Sequence, residues 1–127
     1  MTALVYVLTL LSLAGVVGTR LRLRGSTSPW LTVHAAAGAA GFVIWMVFLI
    51  ASDSTWLGGS EVGIVGLGLW WLVCVAGLFM LVSVRSGGGR RVAHARRTTI
   101  PWLSALVHVG MLAAWVVNTW AYATQKV

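Results

Sequence analysis

Eight of the nine basic side chains in this 127-residue chain lie in two short segments, Arg20 to Arg24 and Arg85 to Arg97, and its two acids, Asp53 and Glu61, lie between them. Loops retained on the cytoplasmic side of a membrane keep an excess of Lys and Arg, because such loops resist transfer across the bilayer. Two basic loops flanking an unbasic one therefore fix four crossings. The first apolar stretch has no cation before it and three arginines after it, which places the N-terminus outside. The C-terminus follows it there, with Lys126 as its single cation. The expected fold class is an all-α membrane protein: four transmembrane helices in one bundle and one domain, N-out and C-out, integral to the cytoplasmic membrane with both basic loops cytoplasmic.

Composition argues the same way. With 59% apolar residues, 9% charged and a mean hydropathy of +0.92, the chain has too little polar surface to keep 127 residues soluble. A formal charge of +7 would invite a nucleic-acid reading in a soluble protein. Here the charges flank apolar segments and form no reading helix, so nucleic acid is not an expected partner and the lipid bilayer is. Cys74 has no second thiol to pair with and sits in an apolar stretch, as a small buried hydrophobe does.

The spans fall at about residues 2–18, 30–52, 62–84 and 101–123, each near the length that crosses a hydrocarbon core of about 30 Å. Pro29 and Pro101 open the second and fourth, where a missing N–H costs nothing. The run Ala35 to Gly41 and the glycines Gly63, Gly66 and Gly68 let a neighbouring backbone approach closely, which is how helices associate in lipid. The loop from Asp53 to Glu61 is too short for a folded domain and reads as a connector. Gly87 to Gly89 beside Arg90 and Arg91 lacks the strand, lysine and spacing of a phosphate cradle. Trp30 and Trp102 belong at the inner interface and Trp56, Trp120 and Tyr122 at the outer, leaving Trp45, Trp70, Trp71 and Trp115 unexplained by an interfacial role.

Leu13-Ala14-Gly15 before the first basic loop matches Val75-Ala76-Gly77 before the second, and Pro29-Trp30-Leu31-Thr32 matches Pro101-Trp102-Leu103-Ser104. One reading is two tandem helical hairpins of the same orientation, a parallel repeat about the membrane normal. The other is chance likeness between hydrophobic sequences, since His34 follows its tryptophan by four residues and His108 follows its own by six.

His34 and His108 are the histidines inside the spans, and intramembrane ionisable residues are costly enough to mark function by default. At 1.5 Å per residue they lie roughly 6 to 8 Å and about 10 to 12 Å inside the same boundary, on spans that run parallel. Two imidazoles facing each other across a bundle are the axial pair of a low-spin haem. Gly38 and Gly41 leave room for a porphyrin edge beside His34, with Trp45 beyond them. Ser104 is placed to hold the second ring nitrogen of His108, Met111 and Trp115 line the next turns, and Arg24, Arg96 or Arg97 are placed to meet propionates. The only metal expected is haem iron.

The arrangement resembles the b-type cytochrome membrane subunits, among them the anchors of succinate dehydrogenase, which hold haem between histidines on separate helices. The resemblance rests on His34 and His108 and implies haem b, electron transport and exchange with quinone. A second histidine pair, and hence a second haem, is absent. Neither acid lies in a span, so catalysis by the chain alone is not expected, nor a carrier that works through a membrane carboxylate. The expected function is a small subunit of a larger membrane assembly, bound to other subunits or to copies of itself. A b-type electron-transfer subunit is the first form, a cofactor-free structural or assembly subunit the second, and a small-molecule transporter the third.

Overall fold

The computed structural model describes residues 2–24, 28–51, 54–85 and 101–124. They form four long helices, α1 (Thr2–Arg22), α2 (Pro29–Ile50), α3 (Ser60–Arg85) and α4 (Pro101–Ala123), and a single 3-10 turn, Trp56–Gly58. All four helices are long and apolar enough to span a membrane. Such a chain has to satisfy its backbone within each segment, and the sequence permits it by keeping proline out of every helix interior. Pro29 and Pro101 stand at first positions; Ser28 precedes Pro29 in extended backbone. Arg20 and Arg22 occupy the last turn of α1 and Glu61 the first turn of α3, each favourable to the helix dipole there.

Around the bundle the order is α1, α2, α3, α4, with α4 closing back on α1. Neighbours are antiparallel: Tyr6 of α1 donates to the Leu49 carbonyl of α2 at 3.1 Å, and Tyr122 of α4 donates to the Ser60 carbonyl at the start of α3 at 2.6 Å. α2 and α4 therefore run parallel on a diagonal. The ends of α1 and α3, carrying Arg20 and Arg22 and terminating at Arg85, meet the starts of α2 and α4 at one end of the bundle.

Each helix turns a stripe with alternating steps of three and four residues to the axis. On α1 it is Val5, Thr9, Ser12 and Val16; on α4 it is Met111, Trp115 and Asn118, all buried. On α3 it is Gly63, Gly66, Trp70, Val73, Gly77 and Met80. That spacing is the seam of knobs-into-holes packing in four-helix bundles. The outward faces are equally apolar, with Leu11, Ile64 and Val109 each at least 60% exposed, as lipid contact requires. Gly66 marks a close approach of two helix backbones: a Cβ there would lie 3.3 Å from both the Cα and the N of Trp45.

The mid-bundle tryptophans have a structural account. Trp70 and Trp115 stack with centroids 4.5 Å apart, and Trp45 meets Trp115 edge-on at 5.7 Å. Trp45 donates its indole N–H to the Thr9 hydroxyl at 3.1 Å, Trp115 to Ser12 at 3.0 Å, and Trp71 to Thr119 at 3.1 Å. Each hydroxyl sends its own proton back to the carbonyl four residues earlier. The hydroxyls are thus left as acceptors in a medium without water, where an unmatched N–H is costly. Trp30 and Trp102 are exposed at the basic end and Trp56 and Trp120 at the other, where interfacial anchors belong. Tyr122 differs from that expectation, because its ring packs inward against Phe48 at 5.7 Å.

Candidate functional site

Toward the basic end the core changes character. His34, on the axial face of α2, is 1% exposed. Its Nδ1 lies 3.1 Å from the carbonyl oxygen of Val73 on α3; a carbonyl only accepts, so Nδ1 carries the proton and donates it. That fixes the tautomer and leaves Nε2 with its lone pair. Nε2 is buried and has no hydrogen-bond partner.

One turn beyond Val73 stands Gly77. A Cβ built on it would lie 2.8 Å from Cδ2 and 3.1 Å from Nε2 of His108, and 3.6 Å from Cε1 of His34. Both imidazoles, one from each of the parallel diagonal helices, therefore converge on a point of α3 that lacks a side chain. Trp30 and Phe79 stack with centroids 4.7 Å apart on the side toward the basic end. Met111 and Trp115 continue the buried stripe of α4 on the other side. Among the described residues no third His, Cys, Asp or Glu joins the pair.

The remaining residues singled out from the sequence are placed as follows. A Cβ on Gly38 would meet the Val16 side chain of α1 at 2.8 Å, and one on Gly41 would meet Leu69 at 3.1 Å and the Trp70 indole at 3.5 Å. Both small positions hold neighbouring helices together here. Trp45 is fully buried, with its indole committed to Thr9. Arg24 is exposed just past the end of α1. The side chain of Ser104, and Arg96 and Arg97 entirely, lie outside the described residues, as do Asp53, His94 and the glycine run of the inner loop.

Sequence reasoning missed Val73 and Gly77. Val75-Ala76-Gly77 drew attention only as half of a repeat, and no periodicity marks a valine whose contribution is its backbone carbonyl. Comparison with known proteins found no matching family profile, curated relative or solved structure.

Proposed function

We propose that this chain is a small integral subunit of the cytoplasmic membrane that holds one b-type haem between His34 and His108 and serves electron transfer, its basic loops facing the cytoplasm and both termini outside. The observation that carries the reading is the state of His34: Nδ1 tied to a backbone carbonyl, Nε2 buried and unmatched, and the ring of His108 against the same glycine. A buried polar atom without a partner costs roughly 1 to 3 kcal/mol, which coordination of its lone pair would remove.

Donor number decides which ligand suits the pair. Structural and catalytic zinc sites draw three or four donors from the protein, and softer metals want thiolate, whereas the described residues around this pair offer two imidazoles. A porphyrin brings four nitrogens of its own and asks the protein for axial ligands alone. When bound, it supplies a one-electron couple. The chain's own residues do the rest: the Val73 carbonyl orients His34 and makes it a stronger donor, Gly77 leaves the clearance, and the apolar surround excludes water. Arg24, Arg96 and Arg97 are the candidates to neutralise propionates, and quinone or a partner subunit is the electron-exchange partner.

The second reading, a cofactor-free assembly subunit, draws on the tight closure of α2 against α3 at Gly41, Gly63 and Gly66. An absorption spectrum of the purified protein, oxidised and then reduced with dithionite, separates the two. The haem reading expects a b-type α-band that disappears in both His34→Ala and His108→Ala. A colourless but folded preparation that also fails to take up added haem refutes it.

A further inference from the structure

At the opposite end of the bundle from the histidines, the connector between α2 and α3 does more than connect. Its 3-10 turn folds Trp56 and Leu57 against both helices and, with Val43, Val47 and Val65, encloses an apolar groove of about 400 Å³. One polar side chain lines it, Glu61, in the first turn of α3. Glu61 makes no hydrogen bond or ion pair among the described residues. Trp56, 75% exposed, contributes an aromatic wall.

Sites for small molecules are mostly apolar clefts of a few hundred Å³ with one or two polar groups that fix orientation. A carboxylate oxygen accepts hydrogen bonds, and a ligand hydroxyl is a donor that matches it. An aromatic wall suits a ring, and apolar walls open to lipid suit a hydrocarbon tail. Two acyl chains and a phosphate headgroup would overfill the volume, and a phosphate would meet the carboxylate as a like charge. We propose that this groove binds a quinol, a hydroxylated ring on an isoprenoid tail, with a ring hydroxyl donating to Glu61 and the ring against Trp56. The choice of quinol among hydroxylated rings rests on the redox reading above; the groove itself lies on the other half of the bundle and does not involve His34 or His108.

The test is a binding experiment on the full chain in lipid nanodiscs, following tryptophan emission during anaerobic titration with decylubiquinol. Binding is expected to be saturable, with the emission change abolished in Trp56→Phe and affinity weakened at least tenfold in Val65→Phe, which fills the groove. Hydrogen bonds to a charged group contribute enough that the reduced form should bind about tenfold more tightly than decylubiquinone. Glu61→Gln should erase most of that difference while circular dichroism stays unchanged. An emission change that never saturates, or that is indifferent to Val65→Phe, overturns the proposal. So does quenching of Trp56 by brominated phospholipid that decylubiquinol cannot relieve, which assigns the groove to an acyl chain. Because emission is read whether or not haem is present, a colourless protein that takes up no added haem yet binds quinol refutes the haem site and leaves the groove standing.

Discussion

Replacing Gly77 with alanine puts a methyl group where the two imidazoles converge, and its consequences can be worked from the distances. The new Cβ would stand 2.8 Å from His108 Cδ2 and 3.1 Å from Nε2, closer than carbon atoms approach without something moving, while His34 Cε1 at 3.6 Å stays in ordinary contact. The group that moves is the far end of the His108 side chain, which can swing without dragging the backbone. An off-rotamer displacement of about 30° costs on the order of 0.5 to 1.5 kcal/mol. Exchanging glycine for alanine inside a helix returns roughly 0.5 to 1 kcal/mol. The two nearly cancel, so the bundle's stability should change by less than about 1 kcal/mol. The ligand site has no such compensation. With His108 turned aside and His34 held by Val73, haem should bind at least about tenfold more weakly, equivalent to ~1.4 kcal/mol. Gly68→Ala is the control, because nothing lies within 4 Å of a Cβ there. It should keep full haem occupancy and unfold no more easily than the parent. The measurements are haem per protein from the reduced-minus-oxidised spectrum and thermal unfolding by circular dichroism in one detergent. If Gly77→Ala retains the parent's haem content and matches Gly68→Ala in stability, the rings do not converge on that glycine and the site is wrong.

Other consequences are as open to measurement. Trp115→Phe and Ser12→Ala each break the indole–hydroxyl bond and should cost about 0.6 to 1.7 kcal/mol apiece, the range for interhelical hydrogen bonds in bilayers; a double-mutant cycle should show coupling, and strict additivity would mean the bond contributes nothing. Asn118 is fully buried with both amide atoms unpartnered, so Asn118→Leu should raise the unfolding temperature by relieving a penalty of about 1 to 3 kcal/mol; a fall instead would reveal a partner for the amide. In a Cys74→Ala background, Gly88→Cys should react with membrane-impermeant maleimide only after the cells are opened. Labelling of intact cells would reverse the orientation.

How much of this was legible beforehand differs by level. Arg20 to Arg24 and Arg85 to Arg97 are enough to count the helices, and Pro29 and Pro101 mark two of their starts within a residue. Helix order around the bundle was not readable, because outward faces such as Leu11 and Val109 are as apolar as inward ones and no hydrophobic stripe distinguishes them. Lipid removes the polar face that makes soluble helices readable. The polar residues carried the signal instead: Thr9, Ser12 and Asn118 point inward, and two of the tryptophans left over from the interfacial belt, Trp45 and Trp115, prove to be partners of the first two. His34 and His108 were legible as a pair on parallel spans at similar depth. Val73 was invisible because its part is played by a carbonyl that every residue owns.

What aims the pair is the rotation of each helix, and for α2 the glycines account for it. A helix advances about 100° per residue, so Gly38 and Gly41 are separated by about 60° around α2. One faces Val16 of α1 and the other Leu69 of α3. Counting from Gly38, His34 and Trp45 fall at about 40° and about 20° on the Gly41 side, between the two glycines. Close approach by both neighbours thus fixes the rotation of α2 and leaves the direction between them for His34 and Trp45 alone. That direction crosses the bundle toward α4, where Trp115 meets Trp45 edge-on and His108 meets His34 over Gly77. The small residues expected to make room for a porphyrin edge therefore act one step earlier. They set the rotation of α2 that turns His34 toward His108, and the two rings pack against a glycine on α3.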